Sequence, residues 1–189
     1  EDVRYVFVNQ DGQVFYDIKL RIKVLKDEGK EYATMEIPYF RRDDNMSDKE
    51  DITGLKATAY NMTNGKVEKT KMPGSMVFDE RVDKNYMVKK LTVPQVKAGT
   101  VFEVQYTKES GLYYRIDTWY AQCDIPVLYT SYEMNIPKYF RFDIDQTGQQ
   151  KMQNNYERVN MTIHMGSSVE QTEGDKYTFI GKHLPALKS

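Results

Sequence analysis

The sequence predicts an all-β fold, a two-layer antiparallel β-sandwich with many strands and few or no helices, on three observations. Several segments alternate apolar and polar residues with period two. Clusters of Asn, Asp and Gly separate those segments and can close tight turns. Aromatic residues reach 13%, with 15 Tyr and 8 Phe against one Trp, a composition suited to pleated, half-buried surfaces.

The clearest strand is the run in which Val14, Tyr16, Ile18, Leu20, Ile22 and Val24 alternate with polar residues, interrupted only by Phe15. Asn9 to Gly12 and Lys26 to Gly29 flank it as turns, which suggests a meander. Leu55, Ala57 and Ala59 form a second inner face, and Met62-Thr63-Asn64-Gly65 turns the chain into a run from Lys66. Phe102, Val104 and Tyr106 give a third face, and Val159, Met161, Ile163 and Met165 a fourth. Pro94, Pro126 and Pro137 mark strand edges or ends, because proline cannot donate to a central ladder. Only Asp79 to Lys90 and Gln149 to Asn160 are free enough of Gly and Pro for short helices, of one or two turns at most. The charged stretch Arg41 to Asp51 reads as an exposed loop. Glu170 to Lys176 reads as a polar turn before a last strand, Tyr177 to Ile180.

A length of 189 residues fits one sizeable sandwich domain, 1–189, that buries its core without staples. Residues 183–189 read as an extended exit toward a following domain. Lys plus Arg is 27 and Asp plus Glu 28, so no long-range field attracts phosphate backbones, and nucleic acid is not an expected partner. No apolar run approaches the length of a bilayer span, so membrane insertion is not expected either. Glu1-Asp2 is a poor start for a signal peptide, so any export signal is expected to have been removed.

Three candidate chemistries were weighed. Cys123, His164 and Asp175 occur in the chain order of a thiol, base and orienting acid. Such a thiol is activated at a helix N-terminus, whereas Cys123 lies in the strand-like run Trp119 to Ile125 that Pro126 ends, so no catalytic residue is predicted. Two histidines and one cysteine do not make a closed metal shell, and Asp43, Asp44, Asp48 and Asp51 lack the spacing of an EF-hand; neither metal nor cofactor is expected. Asn45, Asn61 and Asn160 head glycosylation sequons that matter only in a pathway that uses them. Phosphate loops and serine elbows are absent from the sequence.

The aromatic cluster Tyr113, Tyr114, Trp119, Tyr120, Tyr129, Tyr132, Tyr139 and Phe140 is the remaining candidate site, since amphipathic rings stack on sugars or anchor a protein partner. The competing reading is a sandwich core and its rim. Strand alternation would put Trp119 and Tyr120 on opposite faces, leaving at least one exposed or covered by a neighbour. Tyr113, Tyr114, Trp119 and Tyr120 are the predicted binding residues.

The segment Val93-Pro94-Gln95-Val96-Lys97-Ala98-Gly99-Thr100-Val101-Phe102-Glu103-Val104-Gln105-Tyr106 resembles a bacterial family of uncharacterised domains found N-terminal to transglutaminase-like domains. Gln122-Cys123-Asp124-Ile125-Pro126, then Ile136-Pro137, then Leu184-Pro185-Ala186-Leu187-Lys188 continue the likeness. Gly99, Glu103, Tyr106, Gln122, Pro126, Pro137 and Pro185 are the residues that match its pattern. Gly99 can supply a left-handed turn before its strand, and Glu103, if inward, needs a partner such as Arg115 or Arg141. The resemblance implies a β-sandwich without catalytic residues of its own, in a periplasmic, cell-envelope or secreted protein. It implies as partner a transglutaminase-like domain in the same chain, and the expected role is to dock against that domain and help present or exclude its protein or peptide substrate. A carbohydrate-binding sandwich, with a glycan stacked on Tyr113, Tyr114 or Trp119, is the alternative.

Overall fold

The computed structural model describes residues 1–42, 49–112, 115–148, 150–165 and 168–187. Strands hold 60% of the described residues and helix 6%, so the fold is an all-β sandwich. The strands are β1 (Asp2–Val8), β2 (Val14–Lys23), β3 (Thr34–Phe40), β4 (Glu50–Thr63), β5 (Lys66–Lys71), β6 (Val77–Arg81), β7 (Tyr86–Thr92), β8 (Val101–Ser110), β9 (Val127–Pro137), β10 (Gln153–Met165) and β11 (Ser168–Leu184). Two 3-10 turns, Asp27–Ala33 and Gly74–Met76, complete the regular structure among the described residues. The hydrogen-bonding order is β10-β11-β9-β1-β2-β8-β4-β5 in one sheet and β3-β7-β6 in the other. By compactness the chain divides into Lys19–Lys108 and a second unit made of Glu1–Ile18 with Glu109–Ser189.

Within Lys19–Lys108 the period-two faces become the core. Ala57, Ala59, Phe102 and Val104 meet Ile37 and Leu91 of the three-stranded sheet, with Val24, Ala33 and Val93 closing the cluster. Asn64 and Gly65 both take positive φ, 50° and 74°, and form the two-residue loop of the β4–β5 hairpin. The meander expected after β2 does not form. The 3-10 turn buries Ala33 and carries the chain into β3, where the Val93 amide donates to the Ala33 carbonyl at 2.9 Å. Asp79 to Lys90 contains no helix: β6 and β7 occupy it, paired antiparallel from Val77↔Leu91 to Arg81↔Met87.

Two polar clusters fix this unit. Thr100, with no exposed surface, donates its hydroxyl to Asn61 Oδ1 at 2.6 Å and accepts the Lys97 amide at 2.9 Å. Asn61 in turn donates Nδ2 to the Gln95 carbonyl at 2.9 Å. Gly99, at φ 89°, donates its amide to the Val24 carbonyl, and the Val24 amide returns to Thr100. The left-handed turn predicted at Gly99 is therefore present. On the opposite face of β8, Glu103 accepts from Arg21 Nε at 2.7 Å and from the Tyr60 hydroxyl at 3.0 Å. Its charged partner is thus Arg21, on the neighbouring strand β2, and neither Arg115 nor Arg141, because β8 lies between β2 and β4 and side chains on adjacent strands of one face meet directly.

In the second unit β9 lies between β11 and β1, antiparallel to the first and parallel to the second, in register from Asp2↔Thr130 to Phe7↔Asn135. Thr130, Tyr132, Met134 and Ile136 are its buried face. Pro126 immediately precedes this strand and Pro137 ends it, as their chemistry requires. Two expectations fail here. Gln149 to Asn160 contains strand from Gln153, with no helix among the described residues. Glu170 to Lys176 is no turn but the middle of β11, hydrogen-bonded to β10 throughout and to β9 from Gly174. Its inward positions are the small residues Thr172 and Gly174, which hide the apolar alternation. A Cβ on Gly174 would lie 2.6 Å from the Ile136 carbonyl oxygen, so the strand needs glycine where Met161 crosses it.

Two stability measurements check these clusters. Thr100→Val should cost about 1–3 kcal/mol in urea unfolding, because it leaves the buried Asn61 Oδ1 without its donor and the part-buried Lys97 amide without its acceptor. Burial raises the Glu103 pKa, but hydrogen bonds from Arg21 and Tyr60 outweigh it and hold the carboxyl below its ordinary 4.5. A depressed carboxylate contributes stability that is present above its unfolded value and lost as pH falls through the folded one. Glu103→Gln should therefore destabilise the chain at neutral pH, by about 1 kcal/mol, and flatten the loss of stability below pH 4.5.

Candidate functional site

A cavity of about 750 Å³ opens in the unit formed by Glu1–Ile18 and Glu109–Ser189. Two irregular segments, 115–122 and 141–148, wall it, and Tyr132, Met134, Phe179 and Leu184 of β9 and β11 line it. The run Trp119 to Ile125 is not strand-like as expected. It has no regular structure: β8 ends at Ser110, and among the described residues the chain next joins a ladder at Val127. The Asp117 amide donates to the Tyr16 hydroxyl at 2.9 Å, which pins this segment to β2.

Trp119 stacks on Tyr132 with ring centroids 5.0 Å apart and planes 19° from parallel. The Trp119 indole N–H and the Tyr132 hydroxyl are both buried without a protein hydrogen-bond partner, a cost of about 1–3 kcal/mol each. Burial also pushes the Tyr132 phenol well above its ordinary pKa, so it stays a neutral donor. Arg115, Asp117, Arg141, Asp143 and Asp145 add both signs of charge to the lining. An apolar wall with a few convergent polar groups is the usual constitution of a ligand cavity.

Pro185 and Leu187 are strapped to the same wall. Gln122 donates Nε2 to the Pro185 carbonyl at 2.8 Å, and the Leu187 amide donates to the Cys123 carbonyl at 2.8 Å. Leu184 and Leu187 both line the cavity, and Gly181 makes room there: a Cβ on it would meet Leu184 Cδ1 at 2.9 Å and Met152 Cε at 3.0 Å. Gln122 and Pro185, two residues singled out by the motif, are thus direct partners.

The other predicted residues distribute as follows. Tyr113 and Tyr114 lie outside the described residues. Tyr120 sits at the cavity with 74% of its surface exposed, while Trp119 is half-buried, so the two do divide between solvent and packing. Tyr132 is core, Tyr129 and Phe140 are half-buried, and Tyr139 is exposed and donates to Glu170 at 3.2 Å, so the aromatic cluster is no single platform. Gly99, Glu103 and Tyr106 belong to the Lys19–Lys108 unit; Gln122, Pro126, Pro137 and Pro185 belong to the other. Sequence reading missed the wall formed by Phe142, Ile144 and Met152, whose only signal was apolar residues spaced among polar ones in a segment with no strand partner.

The backbone positions of His164 and Asp175 are not brought together. Cys123 is exposed, its Sγ donates to the Ile125 carbonyl at 3.6 Å, and no helix begins there. Asp175 accepts from the Tyr156 hydroxyl at 2.8 Å and pairs in register with Arg158. His164 is six positions further along β10, a separation of about 20 Å on a strand. Among the described residues no group of His, Cys, Asp and Glu is placed to hold a metal. Asp43, Asp44, Asp48 and Asn45 fall outside the described residues, and Asp51 is engaged by Arg41 and Lys49. Asn61 is buried in the Thr100 cluster and closed to modification in the folded chain, whereas Asn160 is exposed on β10.

The fold is similar to that of a crystal structure from Parabacteroides distasonis ATCC 8503, described as a "putative protease", with a TM-score of 0.62 and 10% sequence identity. The match covers 99% of this chain and 35% of that one, so this chain spans about a third of that protein's length. At such identity the likeness is one of fold. No curated protein matches the chain. Matched over residues 10–186, the chain belongs to the family described as a Domain of Unknown Function with solved-structure structure (DUF3857).

Proposed function

We propose that this chain is a non-catalytic accessory domain of an exported bacterial protein. It docks with a transglutaminase-like domain in the same polypeptide and helps present that domain's protein or peptide substrate. The observation that carries the reading is the strapping of Pro185 and Leu187. Because Pro185 and Leu187 are hydrogen-bonded to Gln122 and Cys123, polypeptide continuing past Leu187 leaves beside the cavity rather than from a free tail. The resemblance of the ordered motifs to domains preceding transglutaminase-like domains supplies the partner class. The Parabacteroides protein, in which a fold like this one occupies about a third of the chain, supports a role within a longer protein.

An accessory role also fits the chemistry. With His164 and Asp175 apart, the groups that converge are Trp119, Tyr132 and the mixed charges around them, which suit recognition. A glycan-binding reading draws on one specific feature, the exposed Tyr120 ring beside Trp119.

A photo-crosslinking residue placed at Tyr120 in the full-length protein should join to the enzyme domain in cis; its absence across the whole protein would retire docking. Trp119 is the chain's one tryptophan, so its emission reports the cavity alone. A shift in that emission on adding a peptide substrate supports presentation, while a shift with oligosaccharides and none with peptide supports the glycan reading.

A further inference from the structure

The two sheets have four terminal strands, and three of them carry the features that discourage pairing with another strand. Four of the six residues of β5, Lys66, Glu68, Lys69 and Lys71, are charged. Three of the five in β6, Asp79, Glu80 and Arg81, are charged, and β3 contains Pro38. Charge and proline at an edge are the usual defences against strand addition. β10 has neither in quantity. Its 13 residues include Glu157 and Arg158 as the only charged side chains of fixed sign, with no lysine and no proline, and Gln153 to Arg158, Asn160 and Thr162 are exposed.

We infer that β10 is the surface through which two copies of this chain pair, edge to edge and antiparallel. This goes beyond the proposed accessory role and does not depend on it. A two-fold axis normal to the sheet preserves its faces, so each residue can oppose only a residue of the same parity. The register that pairs the whole strand is centred on its middle residue, Val159. It sets Arg158 opposite Asn160 of the copy, Glu157 opposite Met161 and Tyr156 opposite Thr162. No like charges face each other, and an aromatic residue meets a β-branched one, a favourable cross-strand pair. Centring on Glu157 or Arg158 would oppose like charges and shorten the ladder. The strand is therefore self-complementary in its longest register.

Asn160 tests that register. It already faces Glu173 on β11, so Asn160→Lys favours the fold while opposing Arg158 of the copy at two symmetric positions. By analytical ultracentrifugation at ~100 μM, the parent chain should contain dimer, and Asn160→Lys should weaken it roughly 3- to 30-fold. Adding Arg158→Gln to Asn160→Lys removes the repulsion and should restore the dimer. A parent chain that is monomeric at that concentration overturns the inference. So does a dimer that both variants leave unchanged, since it would use another surface.

Discussion

The Lys19–Lys108 unit depends on a buried hydroxyl. Thr100 lies at the point where the 93–100 turn, the end of β2 and the inner face of β4 converge, and it has no exposed surface. Its hydrogen bonds to Asn61 and Lys97, with the paired Val24–Thr100 and Gly99–Val24 backbone bonds, fix where β8 begins. Strand register follows from that start: one residue of slip would turn Phe102 and Val104 out of the core and Glu103 into it. Glu103 faces Arg21 and Tyr60 because Thr100 sets the count. Gly99 is needed because the approach to this point passes through a left-handed conformation.

That dependence explains which parts of the fold were legible in the sequence. Where one sheet face is core and the other polar, as along Val14 to Val24, Leu55 to Ala59 and Phe102 to Tyr106, alternation reports the strand directly. Asn64-Gly65 announces its hairpin for the same local reason. β11 was hidden because its inward residues at the crossing with Met161 are Thr172 and Gly174, and neither is apolar enough to register. A strand flanked by two others gains its backbone hydrogen bonds from them, so tertiary pairing overrides a polar composition. The jump from β2 to β3 in the other sheet is likewise a long-range choice, which flanking turn residues do not encode.

The candidate site was half legible. Trp119, Tyr120 and Gln122 were named from aromatic density and motif order, and all three line the cavity. The 141–148 wall was not, because irregular chain has no period to detect and its position is set by contacts rather than by propensity. The failure of the His164–Asp175 pairing could be derived only once β10 and β11 were paired: a ribbon in register from Arg158↔Asp175 to His164↔Val169 keeps the two backbone positions about 20 Å apart, the distance the strand rise imposes.

The polar groups that the cavity presents are its exposed charges. The Trp119 indole N–H and the Tyr132 phenol are shut off from solvent as well as unpaired, whereas Arg115, Arg141, Asp143 and Asp145 of the lining are exposed. A mixed lining of this kind suits the peptide and the glycan readings of the cavity alike. The wall itself separates them: Tyr132 already covers one face of Trp119, so only the other face and the exposed Tyr120 ring are left to stack on a sugar. A peptide needs no free ring face. On that wall the chain's own Pro185 and Leu187 are held through the Gln122 side-chain amide and the Cys123 backbone carbonyl, contacts made to main chain rather than to side chains.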